Sequence, residues 1–198
     1  MFNNQDLDSV YNAIVSNDIA IIPTDTVLGL SCNALNQDAC NKIYDLKNRD
    51  KSKPFAIFAS NTQWIYNNCV VDKYIIDFCN KNLPGNYTII VNLKTHLKLS
   101  HIGINTKIGI RIPKSDFCIG LCDKIYKNHN DKIILCATSV NISGFPPAIK
   151  ISDVDKNILQ NTAYYPQESF LQSQGLSGIP STIVDFSDSS QNPLIIKR

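Results

Sequence analysis

The sequence has no G-x-x-x-x-G-K-[ST] loop, no G-x-G-x-x-G after a strand and no H-E-x-x-H, which excludes the common phosphate-cradling and metalloprotease signatures. It has no C-x-x-C pair, and His96, His101 and His129 lack metal-ligand spacing, so no protein-held metal is expected. Met1 to Asp8 has neither the basic start nor the apolar run of a secretory leader, and no stretch approaches the roughly eighteen apolar residues of a membrane span. The chain is therefore read as soluble and cytoplasmic, with no membrane partner. Charge of either sign is scarce: 19 Lys+Arg against 17 Asp+Glu leave +2, too small an excess to draw nucleic acid by field alone. Internal repeats and low-complexity tracts are also missing.

What is present suits one globular unit. The 198 residues, 43% hydrophobic, can bury a core without staples, and a single domain over residues 1–198 is expected. The seven cysteines are an odd count and stand mostly among apolar neighbours, where a thiol behaves as a small hydrophobe in a reducing compartment.

Apolar periodicity predicts helices over about 7–17, 36–48, 61–65, 75–79 and 117–126, and one capped by Ser152 running through Leu159. Short apolar runs predict strands at 19–22, 55–59, 87–93, 108–112, 133–136, 183–186 and 194–196, with 27–30 as a buried segment. Helices and strands interleave, which favours an α/β (mixed α+β) layer architecture. Residues 94–106 lack periodicity and form the longest candidate loop.

Four polar clusters abut these strands: Pro23 to Thr26, Lys47 to Lys53, Ala137 to Gly144 and Pro180 to Thr182. Ligands collect where strand ends meet loops in open α/β sheets, so the clusters point to one cleft. Lys47, Arg49 and Lys53 suit phosphate oxygens, but also the dipole at a helix C-terminus. Ser139 to Gly144 reads equally as a turn or as a cradle of short donors and free backbone. Thr24, Asp25, Thr26 and Ser181 fit ordinary strand and turn roles as well as ligand contacts. Arg111, inside the apolar run Ile108 to Pro113, needs a carboxylate partner or an anionic ligand.

Taken in order, these clusters resemble the YrdC-like threonylcarbamoyl-AMP synthase family, in its short, single-domain form, across nearly the whole chain. Pro23-Thr-Asp-Thr-Val-Leu-Gly-Leu30 is similar to the family's P-T-[DE]-T-x-Y-G-L, and Lys47-x-Arg49 with Lys53-Pro54 to its K-x-R-x-x-x-K-P. Pro84-Gly85-x-x-Thr88, Arg111-Ile-Pro113, Ser139-Val-Asn-Ile-Ser-Gly144 and Ser181-Thr-Ile183 follow in register. The pattern departs at Leu28, where Tyr is frequent, and at Phe58, where some longer relatives have His.

The resemblance implies a twisted, open mixed sheet flanked by helices, with a concave ligand cleft. It implies the formation of L-threonylcarbamoyl-AMP and pyrophosphate from ATP, L-threonine and bicarbonate, with the product passing to proteins that modify tRNA. Under it, Lys47, Arg49, Lys53, Ser139 and Asn141, with Lys197 or Arg198, are assigned to ATP, and Lys47 and Arg49 to catalysis. Thr26, Arg111 and Ser181 are assigned to threonine. Magnesium would be bound through the phosphates, not by the protein. The competing functions are an RNA-binding or ribosome-associated module without this catalysis, with weak tRNA binding at its concave surface, and a carbamoyl-transfer relative.

Overall fold

The computed structural model of the chain describes residues 4–94, 99, 102 and 106–197. The loop expected over 94–106 lies mostly outside the described residues, as do His96, His101 and Arg198.

Helix α1 (Asn4–Val15) buries Leu7, Val10 and Ile14 along one stripe, the spacing that turns an apolar face inward. Helix α2 (Gln37–Leu46) is capped by Asn36, whose Oδ1 accepts from the Ala39 amide at 2.8 Å. It buries Ala39, Cys40, Ile43 and Tyr44 and ends at Lys47. Asn61, Asp72 and Ser115 cap α3 (Thr62–Asn68), α4 (Lys73–Asn82) and α5 (Asp116–His129) in the same way, accepting amides that the first turn leaves unpaired. The helix expected from Ser152 divides: residues 151–153 make a single 3-10 turn, and Asp155 caps α6 (Lys156–Gln160) instead. The short α7 (Glu168–Gln172) has a three-to-four residue pattern too brief to read from sequence.

The strands are β1 (Ala20–Ile22), β2 (Gly29–Asn33), β3 (Ala56–Phe58), β4 (Tyr87–Asn92), β5 (Lys107–Arg111), β6 (Leu135–Ser139), β7 (Thr182–Asp185) and β8 (Leu194–Ile196). Strand β6 begins and ends later than the 133–136 expected, because pairing with β2 in the register Gly29↔Ser139 draws the polar Thr138 and Ser139 into the ladder. The strands form one mixed, open sheet in the order β1-β2-β6-β3-β5-β4-β7-β8, parallel only at β3/β5 and β4/β7.

Side chains alternate across this sheet. One face carries Leu30, Cys32, Cys136, Ile57, Ile110 and Val184 into the larger core, with α2 and α4 contributing to the same cluster. The other carries Ala20, Ile22, Ala137 and Phe58 under α1 and α5, which add Val10, Ile14, Phe117 and Leu121. Among the described residues no helix is long and apolar enough to cross a membrane.

Candidate active site

On the α1/α5 side the sheet face carries small residues in register: Ser31 and Gly29 on β2, Ala137 on β6, Ala56 on β3 and Gly109 on β5. The lack of bulk at Gly29, Ala56 and Ala137 leaves a cleft of about 150 Å³ above the strands. Gly29, Ala56 and Ala137 are its floor, and Thr26, Phe58, Arg49, Arg111, Ser139, Pro180 and Ser181 are among its walls. A Cβ on Gly29 would stand 3.2 Å from Ile22 Cγ1 and 3.6 Å from Ala137 Cβ, so a side chain here would press on Ile22. No Asp or Glu lines the cleft among the described residues.

One wall is a hydroxyl and guanidinium constellation. Thr24 folds the 23–27 turn on itself, its Oγ1 donating to the Val27 carbonyl at 2.7 Å and accepting from the Thr26 and Val27 amides at 3.1 and 3.2 Å. That turn places Thr26, fully buried, with its Oγ1 2.7 Å from an Arg111 amino group. The same amino group pairs with Asp25, whose second oxygen accepts from the Lys114 amide at 3.1 Å. Arg111 comes from the last position of β5, opposite Phe58 and Thr88 in the register, and its guanidinium lies 5.8 Å from the Phe58 ring centroid. Burial pulls its pKa down, opposed chiefly by Asp25, and its Nε is buried without a hydrogen-bond partner. Beside it, Ser181 and Thr88 share a hydroxyl hydrogen bond of 2.8 Å. Arg111 thus has its carboxylate partner inside the protein, and its guanidinium is not fully satisfied.

Ser139, which lines the cleft, opens the 139–145 loop. Lys47 is 1% exposed, and its ammonium donates to the Ser139 carbonyl, to the Asn141 carbonyl at 2.6 Å and to Asn141 Oδ1 at 3.0 Å. Three protons meet three oxygens, so the ammonium is fully used. Asn141 is equally committed: Oδ1 also accepts from Ser139 Oγ at 2.6 Å, and Nδ2 donates to the Ile142 and Phe145 carbonyls at 3.0 and 2.7 Å. The Ser143 amide donates back to the Lys47 carbonyl at 2.8 Å, and Gly144 takes φ +92°, a backbone conformation that side chains rarely adopt. Burial, with Arg49 close by, pulls the Lys47 pKa down to about 7, against three acceptors that favour the charged form.

Of the residues assigned to ATP by resemblance, Arg49 and Ser139 line the cleft. Arg49 is anchored on the Lys53 and Pro54 carbonyls at 3.1 Å each and lies 5.7 Å from the Phe55 ring centroid. Lys47 and Asn141 stand behind Ser139 and hold the loop. Lys53 is exposed and Lys197, exposed beyond β8, is likewise not among the lining residues. The threonine set Thr26, Arg111 and Ser181 comes together on one side of the cleft. Sequence reasoning assigned no role to the floor or to Thr88, although Gly29, Ala137 and Thr88 lie within the motifs and clusters it singles out. The floor's signal is a small residue at facing positions of β2, β6, β3 and β5, visible only once the register is known.

Residues 12–198 match the family model for Sua5, YciO and YrdC, described as "Telomere recombination". The chain belongs to this family. A putative threonylcarbamoyl-AMP synthase of Methanocaldococcus jannaschii is 32% identical over 158 residues, 80% of this chain and 71% of the relative. The threonylcarbamoyl-AMP synthase of Moraxella catarrhalis is 26% identical over 93% of both chains. E. coli YciO superposes with a TM-score of 0.78 at 15% identity, covering 99% of this chain and 90% of that one. P. abyssi Sua5 complexed with L-threonine also gives 0.78, at 19% identity, over 93% of this chain. This chain spans about half of the P. abyssi protein, 52% of its length. At these identities the two structures establish the shared fold, and a Sua5/YciO/YrdC member with this open mixed sheet and concave cleft is what the sequence motifs led one to expect.

Proposed function

We propose that the chain is an L-threonylcarbamoyladenylate synthase. The observation that carries this reading is a single cleft with two chemically different walls: Arg111 with Thr26, Ser181 and Thr88 on one side, Arg49 with Ser139 on the other. A buried guanidinium beside hydroxyls suits an amino-acid carboxylate and a hydroxylated side chain, because a planar fork pairs with a carboxylate in two bonds. Arg49 suits phosphate oxygens, while the Ser139 hydroxyl, its proton already given to Asn141 Oδ1, fixes the loop beside it. The names of the M. jannaschii and M. catarrhalis relatives, and the L-threonine complexed with P. abyssi Sua5, support the activity as a whole.

In this scheme threonine's amine captures the one-carbon unit of bicarbonate as a carbamate with loss of water. A carbamate oxygen then attacks the α-phosphorus of ATP, the α–β bridging bond breaks, and pyrophosphate leaves. The step is a nucleotidyl transfer that asks for alignment and charge neutralisation, not a protein nucleophile. Arg49 stabilises the charge that gathers on the phosphates. Lys47 acts through Ser139 and Asn141, as a positioning residue. The cleft-lining set offers no carboxylate, so magnesium would be carried by the phosphates of the nucleotide. The product would pass to cytoplasmic proteins that modify tRNA.

The test is product identity. With 13C-labelled bicarbonate, L-threonine and Mg-ATP, the protein is expected to form a species with the mass of threonylcarbamoyl-AMP carrying the label. A product lacking the label or lacking threonine would overturn the reading.

A further inference from the structure

Behind the cleft, on the opposite face of the sheet, three thiols converge. Cys32 on β2 and Cys136 on β6 stand directly opposite each other in the register, and Cys40 comes down from α2. Cys32 Sγ lies 3.5 Å from Cys136 Sγ and 3.8 Å from Cys40 Sγ, and the three sulfurs lie within 4.8 Å of one another. These separations exceed a disulfide bond, about 2.05 Å. The two separations from Cys32 match sulfurs sharing one central atom, since bonds of about 2.3 Å at pyramidal to tetrahedral angles put sulfurs roughly 3.4–3.8 Å apart, and the Cys40 and Cys136 sulfurs, within 4.8 Å, would draw together on binding. All three residues are fully buried, and among the described residues no histidine or carboxylate joins the group.

We propose that Cys32, Cys40 and Cys136 form a binding site for a trivalent thiophilic metalloid of the arsenous-acid class. The choice of ligand follows from charge. All three sulfurs sit inside the larger apolar cluster with no exposure, so the pocket resists an uncompensated charge. A trivalent centre with three thiolates is neutral and completes its coordination with them. A zinc ion with the same three would leave a net negative charge in the core and call for a fourth ligand. Arsenous acid is itself a neutral solute, so it enters without shedding the hydration of a dication. Three As–O bonds break and three As–S bonds form. Each thiol proton leaves with a hydroxide as water, and nothing is oxidised or reduced. The site ties together α2, β2 and β6, the elements that lead to Lys47, Gly29 and Ser139. It does not depend on the chemistry assigned to the cleft.

The experiment uses the reduced full-length chain, incubated with arsenite alone, desalted and assayed for arsenic by elemental mass spectrometry. One arsenic per chain is expected, with affinity falling at least about tenfold in each of Cys32→Ala, Cys40→Ala and Cys136→Ala. A Cys118→Ala/Cys122→Ala chain, which removes the i,i+4 pair on α5, keeps it. Should a core variant fail to fold, alkylation of the wild type after an acid quench serves instead: Cys32, Cys40 and Cys136 are protected by arsenite while the other four cysteines react. No retained arsenic, retention that follows Cys118 and Cys122, or preferential retention of Zn2+ in a parallel incubation would each overturn the proposal.

Discussion

Arg111 joins two demands in one side chain. Its pairing with Asp25 and Thr26 fixes the guanidinium at the cleft, while its Nε stays unpaired and buried. Arg111→Lys keeps the charge but loses the fork, so the threonine KM is expected to rise at least about tenfold with a smaller change in kcat. Arg111→Ala strands the Asp25 carboxylate and should cost about 3–5 kcal/mol of stability in denaturant titration. Lys47 makes the second residue-level prediction. Its pKa in the folded chain is about 7, against 10.5 as the ordinary lysine value. The unfolded chain therefore holds the extra proton across this window. The cost of burying the ammonium is fully present below pH 7 and shrinks as the pH rises from about 7 towards 10.5. Nucleotide phosphates at the cleft pull the other way. ATP binding just above neutral pH is expected to take up a proton, seen as a buffer-dependent heat in calorimetry and abolished in Lys47→Met. A heat independent of buffer ionisation would contradict this.

At the scale of elements, the floor of the cleft is a property of strand register. Ala56 is part-exposed at the floor, so Ala56→Leu should fill the cleft and suppress catalysis, at a stability cost of no more than about 1–3 kcal/mol. Gly29→Val meets Ile22 and Ala137 at once and should cost about 1–3 kcal/mol, read as a lowered Tm. Most elements were legible in the sequence because their signals are local: the apolar stripes of α1 and α2 and the short apolar runs of β1 and β5. The exceptions have non-local causes. Strand β6 runs on through Ser139 because β2 pairs with it there, and the start of α6 moved to Asp155 because a separate 3-10 turn holds 151–153. The three-thiol cluster could not be read from spacing, since Cys32 and Cys136 meet only through sheet pairing.

At the scale of the molecule, the order of motifs along the chain already indicated one cleft, and the fold gathers Thr26, Arg49, Arg111, Ser139 and Ser181 around it. What the order could not give is the division of labour among the basic residues. Lys47, Arg49 and Lys53 are neighbours in sequence, yet one is buried behind the loop, one faces the cleft and one faces solvent. Chain direction at the end of α2, where Asn48 takes φ 47°, separates them. The central claim is that both walls of the cleft act in one reaction, and pyrophosphate release tests it most directly. With Mg-ATP present, the chain should release pyrophosphate only when L-threonine and bicarbonate are supplied together, and omission of either should abolish the signal. Release that is indifferent to threonine would contradict the account.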